Sequence, residues 1–226
     1  MRLFPTLLVS AVSLSLIPSA AVNALTISVI DDLTTTQAAD STTLSSTLPL
    51  SPGDSTILGT INRTLDLLAE NTPVTPIIQG NIPLPGSGDP GLSFSNGNGT
   101  NGRLELTYDI LSSTNFAVGG ADRISIGLVS SDIAGAAVSV RLNGVIETIG
   151  PLPVAPPEQV LDFLFSSFAS VDPTAITDFA IILDPIESGE MSINTLETRT
   201  ATPEPATVLG LLAVGLTGRV LRKAKK

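Results

Sequence analysis

The chain has 226 residues, with 21 Asp and Glu against 11 Lys and Arg, seven Phe, one Tyr, and no His, Cys or Trp. Disulfides, thiolate and imidazole metal ligands, cysteine nucleophiles and histidine bases are thereby excluded, and acid or base work would fall to carboxylates. From Leu25 to Thr202 there are five Arg, no Lys and 20 acids, a net charge of −15, which repels phosphate backbones and argues against a nucleic-acid partner.

Residues 1–24 have the plan of a secretory signal peptide. Arg2 is an early cation, Leu7 to Ile17 is apolar, and Val22-Asn23-Ala24 offers a cut after Ala24, with Ser19-Ala20-Ala21 as a competing site. Pro18 and Asn23 close the apolar run at about half the ~20 residues that a spanning helix needs. Signal peptidase is therefore an expected partner.

Next come short runs of Ile, Val, Leu and Thr broken by Gly, Pro, Asn and Asp, the pattern of strands. Leu25 to Val29, Arg103 to Tyr108 and Arg123 to Leu128 alternate apolar with polar residues, so each predicts one inward face. Further strands are expected at Ala137 to Leu142, Val145 to Ile149, Val160 to Phe165, Thr177 to Leu183 and Met191 to Leu196. Leu142-Asn143-Gly144-Val145 reads as a tight hairpin, and Asn96 to Gly102 as a turn or loop. Thr56 to Glu70 has some helical spacing, but Gly59 and the Thr content favour a strand, as Pro156 and Pro157 do for Gln159 to Phe168. Thr34 to Pro52 and Asn71 to Gly91, rich in Pro, Ser and Thr, read as long loops or edge segments.

Three parts end the chain in a fixed order: Pro203-Glu204-Pro205, an apolar stretch, and a basic tail of Arg219, Arg222, Lys223, Lys225 and Lys226. As a helix, Ala206 to Leu221 would be ~24 Å long, short of the ~30 Å hydrocarbon core unless flanking cations snorkel. The basic tail should stay cytoplasmic and the Pro-Glu-Pro segment, held extended by its prolines, should face outward. This ending resembles the PEP-CTERM sorting signal of Gram-negative bacteria and cyanobacteria. The resemblance implies processing by exosortase, a membrane-embedded protease, and delivery to the cell surface or extracellular polysaccharide. The interior, through Val29-Ile30-Asp31-Asp32, Ile57-Leu58-Gly59, Tyr108-Asp109 and Phe165-Ser166-Ser167-Phe168, is similar to a cyanobacterial type of PEP-CTERM protein, a resemblance that implies no known catalytic activity.

Chemistry in the interior has few candidates. A glycosidase needs two carboxyls ~5–10 Å apart, usually beside sugar-stacking rings, and one Tyr with no Trp makes a poor platform. A serine nucleophile would have neither His nor Lys as its base, so no catalytic residue is expected. Asp31, Asp32 and Asp122 are weak candidates for calcium, which hard oxygen ligands suit, although each reads more simply as a turn former or ion-pair partner, and no other cofactor is expected. The expected molecule is an all-β protein with a single antiparallel β-sandwich, jelly-roll-like, over residues 25–202. A signal peptide (1–24) and a sorting signal with a short transmembrane helix (203–226) flank it. Two functions are compatible with this plan: a structural or adhesive component of the envelope or exopolysaccharide matrix, and a carbohydrate-binding module, calcium-dependent or not.

Overall fold

A computed structural model of the chain describes residues 27–51, 53–70, 78–154 and 159–200. They form two antiparallel sheets packed face to face. The strands are β1 (Ile27–Asp31), β2 (Gln37–Asp40), β3 (Ser45–Pro49), β4 (Asn62–Ala69), β5 (Ile78–Ile82), β6 (Leu92–Asn96) and β7 (Gly102–Tyr108). After them come β8 (Arg123–Ser131), β9 (Ala137–Leu142), β10 (Val145–Ile149), β11 (Gln159–Leu164), β12 (Phe179–Asp184) and β13 (Glu190–Arg199). One sheet runs β11-β8-β13-β6-β5-β2, with β1 added beside β13, and the other runs β10-β9-β12-β7-β4-β3. Chain neighbours such as β6 and β7, β8 and β9, and β12 and β13 lie in opposite sheets, the repeated crossing of a jelly-roll-like sandwich.

The alternation in the sequence decides which way each strand faces. In β8, Ile124, Ile126 and Leu128 point into the sandwich, and in β7, Leu104, Leu106 and Tyr108 do. They meet Leu65, Leu67, Phe94, Val138, Val140, Ile181, Leu183 and Met191 in one continuous core. At its end Tyr108 stacks on Phe179, and Phe116 meets Phe179 edge-on, each pair with ring centroids 5.1 Å apart. Gly80 in β5 lets the sheets come close beside Leu104 and Leu65, because a Cβ on it would lie 2.7 Å from Leu104 Cδ1 and 3.1 Å from Leu65 Cδ2.

The Asn143-Gly144 turn joins β9 to β10 with φ of +48° and +81°, the left-handed pair that a two-residue hairpin requires. β2 and β3, drawn from the stretch read as loop or edge, are indeed the terminal strands of the two sheets. Two expectations are corrected. Part of 71–91, read as loop or edge, is β5, an internal strand between β6 and β2. Leu92–Asn96, for which no strand is expected from the sequence, is β6, an internal strand paired between β13 and β5.

Candidate functional site

β5, β6 and β13 lie side by side, and their outward positions carry small polar side chains. Pairing sets Gln79 opposite Ser95 and Ser95 opposite Glu190; one step along, Asn81 faces Ser93 and Ser93 faces Ser192. Directly opposed residues share a face, so these six side chains form two rows across the strands. The first row continues to Asp40 on β2 and the second to Ser130 on β8. Beneath them, Ile78, Ile82, Leu92, Phe94, Met191 and Ile193 hold the strands against the core. Between the rows lies a groove of about 370 Å³, walled in part by Pro85.

Within the groove the Ser95 hydroxyl donates to Glu190 Oε1 at 2.8 Å, and Gln79 Nε2 donates to Asn81 Oδ1 at 3.3 Å. The backbone N–H of Glu190 is held by Asp132 Oδ1 at 2.6 Å. At the edge, Asp40 accepts from the side chain and backbone of Thr42 and the backbone of Thr43, which holds its carboxyl below the ordinary carboxylate range. A second hollow of about 220 Å³ opens beside the irregular register of β13, between β1 and Pro90, where Asp31, Asp32, Asn194 and Glu197 line it.

The acids singled out in the sequence are placed apart in function. Asp31 is buried with Arg63, and the Arg63 guanidinium donates to Asp31 Oδ2 at 2.7 Å, to Gln37 Oε1 at 2.8 Å and to the Thr35 carbonyl at 2.7 Å. Tyr108 adds its hydroxyl to Asp31 Oδ2 at 2.7 Å, and the Leu33 N–H occupies Oδ1 at 2.8 Å. This cluster ties β1 of one sheet to β4 and β7 of the other. Asp32 accepts from Thr34 N and Oγ1 in a local turn, and Asp122 pairs with Arg123 at 2.8 Å. Among the described residues no group of three or more acids is arranged as a metal would need.

On the outer face of the other sheet, Arg141 bridges Glu105 and Asp178. Burial pulls the Arg141 guanidinium down, but the hydrogen bonds that it donates to Asp178 and Glu105, with the charges of both, outweigh burial and raise its pKa. Asp184, at the end of β12, is pushed up by desolvation and then by the Glu70 charge, with Arg103 opposing.

Ala24, Pro203, Glu204, Pro205 and the tail residues Arg219, Arg222, Lys223, Lys225 and Lys226 lie outside the described residues, as does the transmembrane helix expected over Ala206 to Leu221. Among the described residues no helix is long and apolar enough to cross a membrane.

Sandwich and signal together define the class: a β-sandwich followed by a C-terminal address. Residues 201–226 match the model of the PEP-CTERM protein-sorting motif, which makes this chain a β-sandwich protein bearing that motif. The motif implies export by way of a membrane-anchored C-terminal signal. No curated protein matches the sequence. Among solved structures, the chain is similar to a family 11 carbohydrate-binding module from Clostridium thermocellum in complex with a β-1,3-1,4-mixed-linked tetrasaccharide, at 14% identity and a TM-score of 0.41 over 74% of this chain and 100% of that one. It is also similar to a family 29 carbohydrate-binding module from Piromyces equi, at 10% identity and a TM-score of 0.37 over 76% and 97%. A glycoside hydrolase family 43 arabinoxylan arabinofuranohydrolase from Bacillus subtilis, in complex with cellotetraose, matches at 13% identity and a TM-score of 0.32 over 69% and 27%. At such identities and TM-scores these likenesses carry no inference about ligand or activity.

Proposed function

We propose that this is an exported, non-catalytic protein of the cell envelope or extracellular matrix, structural or adhesive within exopolysaccharide. The observation that carries the reading is the sorting motif matched at residues 201–226. In this account signal peptidase cuts at or near Ala24, and the chain pauses in the inner membrane with its basic tail inside. Exosortase then cuts near Pro203 to Pro205, and the sandwich is released outward. The sandwich suits that destination: it is acidic between Leu25 and Thr202, needs no disulfide, and holds itself with one continuous core.

The test is mass spectrometry of surface and matrix protein from cells with and without exosortase. Surface material that begins near Leu25 and ends near Thr202 only when exosortase is present is the expected result. An intact Lys226 terminus in both strains would overturn the reading in favour of a plain tail anchor.

A second reading, a carbohydrate-binding module, is favoured by the groove over β5, β6 and β13. A glycan array with and without calcium separates the two readings and shows whether the metal takes part. Binding unchanged by calcium would support a metal-free site, and binding to no glycan in either condition would leave the structural role alone.

A further inference from the structure

The two rows of side chains over β5, β6 and β13 form a surface that the sorting signal does not account for. We infer that they are a binding site for a neutral, hydroxyl-rich polysaccharide laid across the strands. This deepens the second reading above and rests on it for its ligand class, while the site itself is built from residues in register.

A sugar hydroxyl both donates and accepts a hydrogen bond, and the groove offers partners of both kinds. The amides of Gln79 and Asn81 and the hydroxyls of Ser93, Ser95 and Ser192 donate and accept, and Glu190 accepts. Ser93 and Ser192 are half-buried, and their hydroxyls make no hydrogen bond to the described residues. They are opposite one another in the register, at the middle of the second row. Their neighbours are already oriented, Glu190 by Ser95 and Asn81 by Gln79. A ligand therefore finds donors and acceptors held in place on a sheet rather than on a loop.

Spacing favours a polymer over a single sugar. Strands repeat every ~4.8 Å across a sheet, comparable with one sugar unit, so successive units could meet the equivalent position of successive strands. The second row supplies Asn81, Ser93, Ser192 and Ser130 on four adjacent strands. Among the described residues of the groove no aromatic ring is available for stacking, since Phe94 is fully buried beneath it, so each unit binds weakly and affinity depends on several units binding at once.

Charge selects the polymer. The groove lining contains the Glu190 carboxylate and neither Lys nor Arg, and Asp40 stands at the end of the first row. A polyuronate or sulfated chain would meet repulsion here, and a neutral one would not.

The test is affinity gel electrophoresis of the full chain in mild detergent, with dextran, galactomannan, laminarin or the polyuronate alginate cast in separate gels. Retardation by at least one neutral polymer and none by alginate is expected. The double variant Ser93→Leu with Ser192→Leu, which fills the groove without touching the core, should raise the polymer concentration needed at least tenfold. If that variant loses its β circular dichroism, Gln79→Ala with Asn81→Ala removes only outward amides and should give the same loss. No retardation by any of the three neutral polymers, equal retardation by alginate, or retardation unchanged in the folded variant would each overturn the inference. Retardation by a neutral polymer that is unchanged in the folded variant would overturn this site and leave the carbohydrate-binding reading standing, whereas no retardation of the unsubstituted chain by any of the polymers would overturn both.

Discussion

Arg63 and Asp31 have no side-chain exposure at all, and a lone charge in that position would be far more costly than the pair. Every polar atom of the cluster is used: three carbonyl or carboxyl oxygens receive the guanidinium, and Asp31 takes Tyr108 and the Leu33 N–H besides. Arg63→Ala would leave Asp31 buried without its cation and should cost about 3–5 kcal/mol, read by urea unfolding. Tyr108→Phe removes one bond from a carboxylate that keeps two others, for an expected loss of ~1–2 kcal/mol. Tyr108 is the one tyrosine in the chain, and burial first, then the Asp31 charge, raises its pKa well above the ordinary phenol value. Because the folded value is the higher one, stability from this group is present below the unfolded pKa of ~10 and is lost as pH rises past it. Tyrosinate absorbance near 295 nm should therefore appear only together with loss of the β spectrum, and tyrosinate in a folded protein would contradict the buried cluster. Asp184 has the same sign: its raised pKa favours the folded state in acid and disfavours it above the folded pKa. Asp184→Asn should raise the melting temperature at pH 7 and have little effect near pH 3, where both states carry the protonated acid.

Among the elements, β6 depends on how the chain enters it. Gly91 has φ of +153°, and a Cβ there would stand 2.6 Å from the backbone carbonyl of Ile193 on β13. Gly91→Ala combines a backbone conformation that L residues rarely take with a contact that no rotamer can relieve, so about 2 kcal/mol or more should be lost, measured by thermal unfolding. The groove should suffer in the same variant, since Ser93 and Ser95 follow directly. These strands are also the ones hardest to see in the sequence. β7, β8 and β9 announce themselves through Leu, Ile and Val at every second position, and the Asn143-Gly144 turn through its residue types. β5 reads Ile-Gln-Gly-Asn-Ile, with a glycine at the inward position where the opposite sheet fills the space. β6 offers only Leu92 and Phe94 between serines. The serines and amides that resemble a loop are what make the groove polar, so the candidate site is hidden by the same residues that build it. The Asp31 cluster is half legible in the sequence: the adjacent acids Asp31 and Asp32 stand out, but the partners of Asp31 lie 32 and 77 residues away, and only the sandwich brings them together.

At the scale of the whole molecule, each sheet ends in strands whose outer edge pairs with no other strand among the described residues: β2 and β11 on one, β3 and β10 on the other. Each carries an acid or a proline, namely Asp40, Asp162, Pro49 and Glu147. Glu147 is opposite the buried Val140, so it points to the core side of its strand, an arrangement that penalises addition of another strand. Glu147→Val should raise the fraction of dimers and larger species in light scattering of the full chain, and an unchanged profile would show that the edge is guarded in some other way. Copies that refuse to join edge to edge, and that each carry a surplus of negative charge, behave at high concentration as separate polyelectrolyte beads. Each keeps its own cloud of counterions, and the osmotic pressure of those ions draws in water. A layer of such molecules would swell into a hydrated gel, held together by whatever polymer threads across the beads, and would collapse in high salt without forming fibrils.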